Sequence, residues 1–195
     1  MYGEGRNLRY FIGLGLVIVL LFVVIFMIIR GGGDDGKVPE TERELTSYTD
    51  DSNAAIVFTT IGPITAPENH NEVQIVVTNT DASIDVMQGF DGNVLNSQTY
   101  PLTTSAFGEF LHALNRAGYT EGNTAEDLKD DRGFCPTGSR YIFEVRDGSK
   151  TVQRFWSTNC RNTPKTFKGN ESLAIDLFRA QIPNYDELTT DVNID

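Results

Sequence analysis

Apolar residues are distributed along the chain in three regimes. Tyr10 to Ile29 is an unbroken apolar run with no charge, proline or polar amide, closed by Arg30. At ~1.5 Å rise per residue, a helix of that length spans the roughly 30 Å hydrocarbon core of a bilayer. A buried soluble helix of that length would carry a polar stripe, and this run has none. Residues 31–53 then hold almost no large apolar side chain, being rich in Gly, Asp, Glu, Thr and Ser. From Ala54 onward apolar residues return with the short periods of folded secondary structure.

Within that third regime, Ala54 to Ile61 and Glu72 to Asn79 read as strands. In the second, Val73, Ile75 and Val77 form one apolar face. Ile84 to Phe90 and Asn93 to Tyr100 read as a hairpin about Asp91-Gly92, a turn whose two positions favour φ > 0. The period then changes: Phe107, Phe110, Leu111 and Leu114 fall at i, i+3, i+4 and i+7, predicting an amphipathic helix. Thr103, Thr104 or Ser105 can cap its start, and Gly118 suits the position after its end. One helical turn is predicted at Ala125 to Lys129.

A second hairpin runs Arg140 to Arg146, Asp147-Gly148, Thr151 to Thr158. Opposing Glu144 with Arg154 also opposes Phe143 with Phe155 and Ile142 with Trp156, and such pairs favour a register by ~0.2–1 kcal/mol each. Glu171 to Gln181 predicts a last helix with Leu173, Ala174, Leu177 and Phe178 on its buried face, Asn170 as N-cap and Pro183 as its stop. The expected fold class is α+β: an antiparallel sheet of about six strands with two helices packed on one face, preceded by one N-terminal transmembrane helix. The expected organisation is a tail at 1–9, an anchor at 10–30, a flexible acidic spacer at 31–53, a domain at 54–190 and a tail at 191–195.

The apolar run is longer than the 7–15 residues of a signal-peptide core and lacks a small-residue cleavage site, so it reads as an uncleaved anchor. Basic residues flank both sides, Arg6 and Arg9 before it, Arg30 and Lys37 after. The short N-terminal tail favours an N-terminus in the cytoplasm and a C-terminal domain outside it. The anchor is charge-free, which suits a tether rather than a conducting path, and lacks G-x-x-x-G, which disfavours tight helix pairing.

Net charge changes the picture of partners. The chain carries −11, while residues 1–30 are net positive, so the remainder is strongly acidic. Long-range repulsion then disfavours nucleic acid. Against that background, residues 140–168 concentrate Arg140, Arg146, Lys150, Arg154, Arg161, Lys165 and Lys168. Arg154, Arg161, Lys165 and Lys168 are the candidate contacts for an anionic envelope polymer or an acidic protein partner. The opposing reading is that these cations neutralise the domain's own carboxylates.

Cys135 and Cys160 flank the second hairpin near its open end, almost opposite each other. Their expected disulfide closes a loop of about 26 residues, worth ~3.5 kcal/mol on chain entropy. It implies an oxidising compartment, in agreement with the predicted topology. The spacing is not that of a zinc site or a redox pair.

Candidate chemistry is sparse. His112 is predicted exposed on the first helix, and His70 is predicted solvated in its loop, although Glu68 and Glu72 could join it around a metal. No nucleophile elbow, zincin motif or phosphate loop occurs, and Glu126, Asp127, Asp130 and Asp131 lack the order of a calcium loop. Asn170-Glu171-Ser172 matches a glycosylation acceptor and equally a helix start. No cofactor or metal is expected. The leading expectation is a non-enzymatic binding or assembly domain at the membrane; the alternatives are an envelope hydrolase or transferase using paired carboxylates, or a structural subunit of a membrane complex.

Overall fold

Strand β1, Ala54–Ile61, is buried along nearly its whole length because it lies inside the sheet rather than at its edge. The computed structural model describes residues 44–194. The expected anchor over 10–30, the tail before it and residues 31–43 of the spacer lie outside the described residues. Among the described residues, no helix is long and apolar enough to cross a membrane.

β1 is followed by β2 (Asn71–Val77), β3 (Asp81–Gln88), β4 (Asn93–Pro101), helix α1 (Thr104–Arg116), β5 (Arg140–Asp147), β6 (Lys150–Thr158), α2 (Glu171–Arg179) and the short α3 (Tyr185–Thr189). The six strands form one antiparallel sheet in the order β4-β3-β2-β1-β5-β6. β5 and β6 pair as their cross-strand side chains require, Glu144 opposite Arg154, Phe143 opposite Phe155 and Ile142 opposite Trp156. Their hairpin turns on Gly148, whose φ of +57° suits the first position of a two-residue turn. At the β3–β4 hairpin the loop holds four residues, with positive φ at Gly89 and Gly92 and not at Asp91, so the two-residue Asp91-Gly92 turn is not formed.

Alternation sorts the side chains to two faces. Ile56 and Phe58 of β1, Val73, Ile75 and Val77 of β2, Ile84 and Val86 of β3, Phe143 and Val145 of β5 and Phe155 of β6 belong to one core. α1 completes it with Phe107, Phe110, Leu111 and Leu114, the stripe its periodicity predicts. The Thr103 side chain caps α1 by accepting from the Ala106 amide at 3.2 Å, and Asn170 caps α2 by accepting from Leu173 at 3.2 Å. α2 buries Ala174, Ile175 and Phe178; Leu173, expected on that face, is exposed. Phe58, Phe110, Tyr119, Phe143, Phe167 and Phe178 form a continuous ring cluster at this layer's centre, with centroids 4.1–6.3 Å apart.

Two segments expected to be loose belong to the same core. A 3-10 turn, Leu45–Tyr48, packs against α1 with both named residues buried, so the ordered domain starts inside the expected spacer. At the other end Ile194 is buried, and the Asn193 amide donates to the Asn71 side chain at 3.1 Å, inside the expected tail.

The second face of β5 and β6 is covered by the connection between α1 and β5. Phe134 stacks on Trp156 at 5.0 Å, and the Trp156 indole donates to the Leu128 carbonyl at 2.6 Å. A chain of ion pairs, Arg140–Asp131–Arg154–Glu144–Arg146, ties that cover to β5 and β6. The disulfide Cys135–Cys160 joins the end of the cover to the end of β6, Cα atoms 5.7 Å apart.

Candidate functional site

β6 is an edge strand, and its two halves are treated differently. Around Trp156 the outer edge is occupied: the amides of Thr166 and Phe167 both donate to the Trp156 carbonyl, at 2.9 and 3.0 Å, and the Thr166 hydroxyl accepts from the Trp156 amide at 2.7 Å. The same segment is tied to the cover by Asn123 N–H to Thr166 O at 2.8 Å and Lys168 N–H to Glu121 O at 2.9 Å. Gly122 makes this approach possible, since a Cβ there would fall 2.2 Å from the Phe155 ring.

Beyond this clasp, toward Lys150, the edge of β6 faces a cleft of about 580 Å³. It is lined by residues 151–155 of β6, by Asn123, Thr124, Glu126 and Lys129 of the cover, and by Thr166 of the clasp. Among the described residues, no main-chain group pairs with the outer edge of 151–154. An extended chain laid there would find an unused strand edge.

The electrostatics of the cleft are set by matched pairs. Lys129 bonds Glu126 at 2.6 Å in solvent, and Arg154 bridges Asp131 and Glu144. A shallower depression of about 400 Å³ adjoins it, lined by Lys129, Asp130, Asp131, Arg132 and Arg154. There the Arg132 guanidinium and amide bond Asp130 and hold its carboxyl down at about 2. A third cleft of about 570 Å³ lies between α2 and α3, where Arg179 sits over the Tyr185 ring at 5.1 Å.

Of the four candidate cations, Arg154 lines the β6 cleft, and Lys165 and Lys168 flank the clasp residues Thr166 and Phe167. Lys165 is paired with Glu171 at 3.6 Å. Arg161 and Lys168 are exposed, with no ion pair among the described residues. Asn123, Lys129 and Gln153 belong to the same cleft and carry no sequence signal, because they meet only through the clasp.

His70 departs from expectation. It is buried, its ring stacked on Phe90 at 4.4 Å and Nδ1 within 2.9 Å of the Pro63 carbonyl. A turn built on Pro67–Asn69 folds the histidine inward instead of leaving it in solvent. No group of three or more metal-ligating side chains gathers among the described residues. His112 is exposed on α1.

Among the described residues, Glu72 is the carboxyl with a raised pKa: burial pushes it up, against the pull of nearby His70 and Arg140. It lines none of the three clefts, and the one carboxylate on the β6 cleft, Glu126, is ion-paired. The disposition of a raised acid beside a free carboxylate, which glycoside chemistry uses, is not assembled in these clefts.

No family model matches the chain, and the curated proteins yield no match either. Among solved structures, a crystal structure described as a "putative lipoprotein" from Clostridium difficile 630 aligns over 64% of this chain and 97% of its own, at 13% identity and a TM-score of 0.24. A likeness that weak carries no inference about this chain.

Proposed function

We propose that this chain is a membrane-tethered binding module that holds an extended, acidic protein segment in the β6 cleft, outside the cytoplasm. The disulfide fits an extracytoplasmic domain, since such bonds persist in oxidising compartments. The tether is the apolar run at 10–29. The observation that carries the binding reading is the open edge of β6 at Thr151–Arg154, set in a cleft beside a clasp that bears Lys165 and Lys168.

An extended peptide satisfies the strand edge with its own amides, and acidic side chains match Arg161 and Lys168 on the loop. An anionic polymer without amides could use only the second of these. The test is binding of an Asp- and Thr-rich fluorescent peptide to the full chain in detergent, with polyphosphate as the amide-free competitor, across a salt series. Arg161→Glu with Lys168→Glu should weaken peptide binding about tenfold at low salt and less at high salt, in keeping with screening of exposed charges. Unchanged affinity in that variant would discard the reading, and tight binding of polyphosphate alone would replace the peptide by a polymer.

A further inference from the structure

We propose that two copies of this chain associate through their β4 strands, joining their sheets edge to edge in an antiparallel, two-fold pair. β4 is the other edge of the sheet, and among the described residues it is hydrogen-bonded on one side alone, to β3. Every β4 residue except Asn96 and Tyr100 is exposed, so both faces and the free edge are open. Val94 and Leu95 are about half exposed, as is Phe90 in the adjoining turn.

Exposed edges in monomeric proteins are commonly guarded by charge or by a covering segment. β6 has charge on its open half, through Lys150 and Arg154, and the clasp at 166–167 over the part around Trp156. β4 has neither: its sequence, Asn-Val-Leu-Asn-Ser-Gln-Thr-Tyr-Pro, carries no charge in a chain of net −11.

That neutrality selects the occupant. A basic strand would find no carboxylate on β4 to read, and an acidic strand no cation. Two acidic copies repel over most of their surfaces, and this strip is where they can meet without opposing charges. The central side chains Asn96, Ser97, Gln98 and Thr99 are all hydrogen-bonding groups that can pair with one another across a ladder.

The association is also bounded. A bulge leaves Leu95 without a partner on β3, and Pro101 lacks an amide, so regular pairing is confined to Asn96–Tyr100. A two-fold β4–β4 pair is isologous, the same edge meeting itself in both copies, so it closes as a dimer instead of continuing into a fibre.

The test places cysteine singly at 96, 97, 98 and 99 in the full chain in membranes, with His112→Cys on α1 as control, followed by mild oxidation and a non-reducing gel. An antiparallel dyad places one of these residues opposite its own copy, within the 4.4–6.8 Å Cα separation a disulfide accepts. The expected result is a linked dimer at one β4 position and none at the control. In detergent, light scattering should show a dimer that Ser97→Lys with Gln98→Lys converts to monomer, because like charges then face each other. Monomer at all concentrations, equal linking at every position including the control, or a dimer indifferent to the lysines would each overturn the proposal.

Discussion

Asp131 and Arg140 form an ion pair at 2.9 Å with their side chains only 6% and 9% exposed, joining the loop cover to the sheet beneath it. The second Asp131 oxygen is held by Arg154, so one carboxylate from an irregular segment organises two guanidiniums on neighbouring strands. The cover thereby stays over Trp156 and forms one wall of the β6 cleft.

Removing that carboxylate leaves a buried cation uncompensated. Asp131→Ala should cost about 3–5 kcal/mol in urea denaturation, the range for breaking a buried pair from one side. Asp131→Asn, which keeps the shape and one acceptor, should cost less. An Asp131→Ala variant as stable as the parent would show that the pair does not hold the cover.

The disulfide pins the other end of the same cover. Cys135→Ser with Cys160→Ser, or reduction, should lower stability by about 3.5 kcal/mol from the closed-loop entropy for a sequence separation of 25. Urea midpoints with and without reductant measure it.

Glu72 predicts a specific pH dependence. Its folded pKa lies above the ordinary carboxylate value because burial penalises the charged form. Between the unfolded and folded values the native state therefore binds the extra proton, and stability falls as pH rises through that window. Glu72→Gln should raise stability at neutral pH and make no such difference below the ordinary carboxylate pKa. Denaturation of both proteins from pH 4 to 8 checks the sign; a parent that gains stability from this group as pH rises would contradict it.

Gly169 sits where the chain entering α2 crosses the end of α1. A Cβ there would fall 2.4 Å from the Gly118 carbonyl oxygen and 2.5 Å from that of Ala117, and neither is a flexible side chain that could yield. Gly169→Ala should cost about 1–3 kcal/mol in thermal denaturation, as overpacking does. It should also loosen the neighbouring clasp, seen as faster amide exchange at Thr166 and Phe167.

What the sequence determined by itself is the local and near-local structure. β1 spans Ala54–Ile61 as its composition predicts, α1 buries Phe107, Phe110, Leu111 and Leu114, and β5–β6 take the register their opposed charges and rings demand. The pairing of Cys135 with Cys160 follows from that register. These features depend on residues one hairpin or a few helical turns apart, so linear spacing encodes them.

Tertiary structure alone decided which stripe of α2 is buried: a short helix with apolar residues on adjoining faces is oriented by the surface it meets, and Ile175 turns inward where Leu173 was expected. It also decided that Leu45, Tyr48 and Ile194 join the core, single apolar residues in polar stretches whose burial depends on what they land against. The β6 cleft belongs to the same class. Its walls come from 123–129, 151–155 and Thr166, brought together by main-chain hydrogen bonds that any sequence can make and none advertises.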